Sequence, residues 1–549
     1  MYIQTTINKI LGLVPTSVKG MHIEAMKTII PFGIGLIPVA YMTVKIFSNP
    51  GFSTDKSIPI VPLRPGDSTH DAEYSEDPDA FLKRCEEEYG PVFNIYLLNL
   101  ALTVISGPQI REVLTNPAFS ASDANEEITR ITSYFNCGRK SNRNYGNQVV
   151  QYLVRDTAHY LPVFTPKIAT LMEKGLEQEI GHCPAEKGAK IVEEPILLIR
   201  KTVVNAMANI FLGPEIARDP KVIDTLFSAS IDLRRGFITG SSRVSKWRAF
   251  LDRTHLRLFQ PLMKRAQILA EAATPVVLER RRLEALASES GVVWERPDDV
   301  LQSLLDSSDK YGFIDLEDVC AHALILAGAY AFAMTDAATN ILYFLAAFPE
   351  CVGKLYEELQ QVLDTIQTER EQTRQGYRAE GKPIDEALDP AHDRDMSVEA
   401  LKRMVYMDSF LREVFRYRIE HLRIVHRALE DITLSSGIVI SKGSTVISNT
   451  RSIHQSPEHG EDTAEFRPWR YAEKRKTATK VGPDYLVFGM GRRACPARFM
   501  NIQGLKMVGA LVVSKYSKIE IQDPSKTKAA LCTRIGEPID TGLKFTSRK

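Results

Sequence analysis

Residues Phe488-Gly489-Met490-Gly491-Arg492-Arg493-Ala494-Cys495-Pro496-Ala497-Arg498-Phe499 place one cysteine in a glycine-bounded loop immediately before a segment with helical character. Gly489 and Gly491 allow the backbone to turn sharply and to approach a flat ligand closely. Arg492, Arg493 and Arg498, with the first N–H groups of the following helix, favour the thiolate form of Cys495. A chain built around this loop must bring a helix N-terminus and a metal-binding sulfur to one point.

The loop resembles the haem-binding loop of the cytochrome P450 family, F-x-x-G-x-R-x-C-x-G. Phe488, Gly491, Arg493 and Cys495 match, and Ala497 stands where the pattern has its last glycine. The resemblance implies that Cys495 is the axial ligand of a haem b iron, pushing electron density toward the metal. It also implies that Arg493 pairs with a haem propionate. The implied fold is mainly α with a small β lobe (α+β), one haem domain over residues 68–549.

The same resemblance covers Glu413 and Arg416, three apart on one helix face. Taken alone, E-x-x-R spacing describes a surface ion pair worth under about 1 kcal/mol. Phe466-Arg467-Pro468-Trp469-Arg470 resembles the family's F-x-P-x-R element, which implies that Arg470 joins Glu413 and Arg416 in a buried structural triad. His426 stands where the family often places a propionate donor, with a surface histidine as the alternative. Arg155 stands where the family shows W-x-x-x-R, although Gln151 replaces the tryptophan. His454 is expected to pack and hydrogen-bond, not to ligate.

The central helix departs from the family. Its usual acid-alcohol pair, which handles protons for oxygen chemistry, falls on Phe332 and Ala333 when counted back from Pro349-Glu350. Counted from Ala327-Gly328 it falls on Tyr330 and Ala331, and neither register supplies the pair. Thr335 and Asp336 resemble a displaced version, expected to point away because two residues along a helix rotate by about 200°. Three functions remain open. The first is a monooxygenase of an apolar metabolite fed by an NADPH-cytochrome P450 reductase, since no G-x-G-x-x-G is present. The second is a haem-thiolate isomerase, dehydratase or peroxygenase, and the third a catalytically silent haem binder. Pocket walls are expected from residues 120–147, 228–250 and 531–539 and the central helix, with Tyr330, Phe332 and Ile424 favouring an apolar ligand. Residues 296–302 and 430–434 resemble fungal secondary-metabolism members.

Charge supports no nucleic-acid partner: 69 basic and 68 acidic residues give a net +1. Seven cysteines without a CxxC pair argue against a disulfide framework or structural zinc and for a reducing compartment. Thr28–Val44 is a run of 17 uncharged, mostly apolar residues between Lys27 and Lys45, long enough for a membrane anchor within an N-terminal segment 1–46. Residues 47–67, rich in Pro, Gly and Ser, read as a linker. The resemblance then implies an endoplasmic reticulum membrane with the catalytic domain facing the cytoplasm. Asp79–Tyr89 reads as a helix. Val92–Ile105 reads as two strands turning near Asn99, and strand signals return at Ile432–Ile440 and Thr445–Ile447. Thr365–Ser397 is highly charged without an apolar face and is expected to be a solvated insertion.

Overall fold

The computed structural model describes residues 57–548 apart from 98–99, 130–145, 240–253, 255–257, 260, 385–387, 492–493 and 533–538. The anchor expected at 28–44 lies outside the described residues. Helix α1 (Pro78–Tyr89) starts where Asp77 accepts the Ala80 N–H and Pro78 occupies the first turn, which needs no donor there. Strands β1 (Val92–Leu97) and β2 (Leu100–Ile105) pair antiparallel, with Val92 opposite Ile105. Ile58 and Val61 are buried at this sheet, and Val61 N–H donates to Asn94 O at 3.0 Å.

Helix α2 (Pro108–Thr115) and the short β3 (Phe119–Ser120) follow. Next come α3 (Gly146–Glu179), β4 (Lys190–Val192), α4 (Pro195–Leu212), α5 (Pro220–Thr239), α6 (Pro261–Ser290), α7 (Leu316–Ala347), α8 (Glu350–Ala379) and α9 (Val405–Tyr417). The chain then forms β5 (Leu422–Ala428), β6 (Ile432–Thr433), β7 (Val439–Ile440) and β8 (Thr445–Asn449), and closes with α10 (Arg498–Lys515), β9 (Tyr516–Ile521) and β10 (Leu543–Ser547). The larger sheet runs β1-β2-β8-β5-β3, a second runs β4-β10-β9, and β6 pairs β7. A helical body with a small strand-rich lobe is therefore what the chain forms.

Helix α7 is the axis of that body and packs against α4, α5, α6 and α10. Asp315 caps it by accepting the Asp318 N–H at 2.9 Å, and it ends at Phe348, before Pro349. Ile341, Leu342, Phe344 and Leu345 are all 0–1% exposed, each worth about 1.5–3 kcal/mol of apolar burial. Helices α4 and α7 have the length and apolarity of membrane spans, but 72% of each is buried inside the protein, so they serve as core helices. At the α7–α10 crossing a Cβ on Gly504 would meet Tyr330 Oη at 2.8 Å and Met334 Cε at 2.9 Å, so any larger residue must push those side-chain ends aside.

The charged stretch Thr365–Ser397 is more ordered than its composition implies. Helix α8 continues through Ala379, and Arg374, 2% exposed, donates to both oxygens of Asp393 at 2.8 and 2.7 Å. A buried bidentate pair nineteen residues apart closes the excursion onto the helix, a constraint invisible to hydropathy.

Candidate haem-thiolate site

Cys495 N–H donates to Phe488 O at 2.7 Å, folding the loop back on itself. Gly489 and Gly491 sit at φ 69° and 68°, the left-handed region that a side chain would strain. Ala497, by contrast, has φ −77° and ψ 0°, an ordinary right-handed conformation, so its alanine costs the loop nothing. The sulfur lies just before α10. Burial pushes the Cys495 thiol up, while the Ala497 and Arg498 N–H groups and the charges of Arg423 and Arg498 pull it down. Phe488 packs edge-on to Phe415 of α9, ring centroids 6.1 Å apart. Arg493 lies outside the described residues. All six described cysteines are free.

Phe332 and Ala333, the positions counted from Pro349-Glu350, lie in the middle of α7. Ala329 and Ala333 are exposed in the middle of a helix whose Tyr330, Ala331, Met334 and Thr335 are buried, and Phe332 is half-buried. Ala329, Phe332 and Ala333 form a solvent-reachable stripe on a core helix. Tyr330 is not part of it: its hydroxyl donates to Met500 O at 3.2 Å, toward α10, because the Gly504 crossing draws that face of α7 inward. Thr335 is 1% exposed and also turned away. Asp336 corrects the sequence expectation. It stands three residues after Ala333 and four after Phe332, about 60° and 40° away around the helix, and it is half-buried on their side.

Glu413, Arg416 and Arg470 meet. Arg416 Nε and Nη2 donate to Glu413 at 2.7 and 2.8 Å, and Arg470 Nε reaches the same carboxylate at 3.1 and 3.2 Å. Arg416 also donates to His454 O, Thr463 O and Glu465 O, which ties α9 to the segment before the cysteine loop. His454 is fully buried and accepts the Leu486 N–H at Nε2, 2.8 Å, while its ring stacks on Tyr485. Arg412, unnoticed in sequence, lies over the other ring contact of Tyr485, 3.7 Å from the centroid. Lys506 and Asp408 form a second buried ion pair beneath α10. Arg412 and Asp408 sit on the amphipathic α9, and Lys506 on α10, which is buried nearly all round.

His426 is 3% exposed on β5. Arg155 falls within α3, but its side chain lies outside the described residues. Of the expected walls, 130–145, 240–250 and 533–538 lie outside them too, and Ile424 packs, with Met490, against the cluster that includes Leu486. Among the described residues no group of three His, Cys, Asp or Glu side chains is placed to hold a metal ion. A single thiol at a helix N-terminus, beside glycines that let the backbone approach closely, fits a flat iron cofactor held by one protein ligand.

Comparison with known proteins agrees with this geometry. A family model described as "Cytochrome P450" matches residues 69–377 and 381–536. The chain is 23% identical over 472 residues to cytochrome P450 monooxygenase 151 of Postia placenta, covering 83% of this chain and 86% of that protein. It is 26% identical over 387 residues to cytochrome P450 monooxygenase paxP of Penicillium paxilli, covering 68% and 67%. A solved structure, retinoic acid bound cyanobacterial CYP120A1, superposes with TM-score 0.61 at 17% identity, covering 90% of this chain and 100% of that one.

Proposed function

The chain belongs to the cytochrome P450 family of haem-iron monooxygenases, and on that premise we propose that it inserts one oxygen atom into an apolar small metabolite, using electrons from a separate NADPH-cytochrome P450 reductase. The observation that carries the substrate class is the open stripe on α7, where Ala329, Phe332 and Ala333 offer apolar surface and no hydroxyl. The fungal relatives, monooxygenases by name, support the same reading.

In this reading Cys495 would hold haem b through its sulfur, on which the Ala497 and Arg498 N–H groups would favour negative charge. The haem supplies redox chemistry and electron density at the metal, tuned by that sulfur. Arg493, His426 and Arg155 are assigned to the haem propionates. Glu413, Arg416 and Arg470 fix the frame behind the loop, and Ala329 and Ala333 leave room above it. A segment at 28–44 tethers the domain to the endoplasmic reticulum membrane, with the catalytic part toward the cytoplasm.

A second reading rests on Ala333. With methyl groups where an alcohol is usual, the pocket lacks one proton donor, which favours an isomerase, dehydratase or peroxygenase that needs no such relay. Incubating the haem-loaded, full-length protein with an apolar metabolite panel separates the readings. Oxygenated product only with reductase and NADPH supports the first. Turnover by hydroperoxide, or without any oxidant, supports the second, and no product under any condition would leave a haem binder.

A further inference from the structure

The pairing of β5 with β8 is broken at one residue. Arg423 stands opposite Ser448 and Val425 opposite Ile447, which leaves Ile424 as an extra residue between them. Ile424 has φ 60°, a left-handed conformation that a β-branched side chain adopts only where its surroundings enforce it. A bulge of this kind re-aims the side chains around it. In a regular strand Arg423 would share its face with Val425. Here Leu422 and Val425 both pack on the cluster of Phe93, Ile95 and Val104, while Arg423 turns with Ile424 and His426 to the opposite face. That is the side of Leu486 and Met490, in and beside the cysteine loop.

Arg423 is partly buried, and it makes no hydrogen bond or ion pair with the described residues. A cation taken partly out of water beside an apolar cavity requires an anion. Arginine in particular offers a planar fork that matches a carboxylate.

We propose that Arg423 is the specificity-determining residue of the pocket, held over it by the strained turn at Ile424 to bind the carboxylate of an apolar acid substrate. This deepens, and rests on, the assignment of the pocket to apolar small molecules. The binding step is an ion pair and involves no covalent change. The acid end of the substrate is fixed at β5, and its hydrocarbon body is left against Ala329, Phe332 and Ala333.

The test is an optical titration of the haem-loaded, full-length protein at about pH 7.5, where carboxylic acids are ionised. Dodecanoic acid and the rigid abietic acid are each compared with their methyl esters, in native protein, Arg423→Met and Arg423→Lys. The native protein is expected to bind at least one acid about tenfold or more tighter than its ester, as a partly desolvated charge pair requires. Arg423→Met should abolish that preference while leaving ester affinity within about twofold, and Arg423→Lys should keep part of it. Haem content and the rate of haem transfer to apomyoglobin are measured for all three proteins. Ester binding without any acid preference in native protein overturns the assignment alone. Binding of neither acids nor esters overturns the apolar-substrate reading and the assignment with it. Faster haem loss from Arg423→Met with the acid preference intact gives the guanidinium to a haem carboxylate and likewise overturns the proposal.

Discussion

Glu413 offers one carboxylate to two guanidinium groups: Arg416 binds it bidentately at 2.7 and 2.8 Å, and Arg470 Nε lies between the same oxygens at 3.1 and 3.2 Å. Neither Glu413 nor Arg416 is reached by solvent. Asp462 Oδ1 meets the second positive charge, 3.0 Å from Arg470 Nη1, and carbonyl oxygens of residues 454, 459, 462, 463 and 465 accept the remaining N–H groups. Three stretches of chain thus depend on one acidic side chain.

Glu413→Gln leaves two buried cations around a neutral acceptor and is expected to cost about 3–5 kcal/mol. Arg470→Lys keeps the charge but loses the fork, and should cost about 1.5–3 kcal/mol. Denaturant titration of both variants checks the order; equal stability with the native protein would remove the triad from the frame.

Ala497 already has right-handed backbone angles. Restoring the family's glycine with Ala497→Gly should therefore give no relief and instead destabilise by about 0.5–1 kcal/mol through the unfolded chain, with haem content unchanged. A gain in thermal stability would show that the alanine methyl is strained.

Cys495→Ser should abolish the thiolate-type absorption band of the reduced, carbon monoxide-bound protein. The neighbouring Ala497 and Arg498 N–H groups remain in that variant, so they cannot sustain the band themselves. A normal band in the variant would assign the ligand elsewhere.

His459 is held neutral. Asp484 O can only accept, so Nε2 carries the proton, and Nδ1 receives the Tyr471 hydroxyl at 2.7 Å. Burial pushes its pKa down to about 4, whereas an unfolded histidine titrates near about 6.5. Between those values the unfolded chain holds a proton that the folded one refuses. The stabilisation is complete above about pH 6.5 and falls by about 1.4 kcal/mol per unit toward pH 4. Burial depresses His454 in the same sense. Melting temperature should therefore drop from pH 7 to pH 5, less steeply in His459→Gln; parallel curves would show that His459 does not carry the effect.

Ala333 faces the open stripe of α7, so a hydroxyl introduced there has room. Ala333→Thr is expected to raise the fraction of NADPH consumption that appears as product. An unchanged ratio, measured with a turned-over substrate, would show that protons reach the site without this position.

The motifs that could be read in advance are those in which chemistry sits in local spacing. The glycine-bounded cysteine and the three-residue step from Glu413 to Arg416 need no knowledge of distant partners. The helix expected at Asp79–Tyr89 forms as Pro78–Tyr89, and the two strands between Val92 and Ile105 followed from β-rich composition in the same way. Asp336 was misjudged because its angular offset was taken as two residues when its separation from Ala333 is three. Arg423 gave no signal, since a bulge at an isoleucine contradicts its local preference and is imposed by the β8 pairing. The Arg374–Asp393 closure and the Lys506–Asp408 pair were hidden for a related reason: charged side chains on helices are normally solvated, and only the fold tells which are not.

Strand β10 is the middle strand of its sheet, flanked by β4 and β9, and Ser547 Oγ receives the N–H of Cys183, 364 residues earlier. During synthesis β4 and β9 emerge without the strand that joins them. Vectorial folding on the ribosome can therefore build the α7 core, the triad and the cysteine loop, yet must keep two unpaired strand edges apart until residue 547 is delivered. A stretch translated after both of them is the one that protects these strands from pairing with other nascent chains.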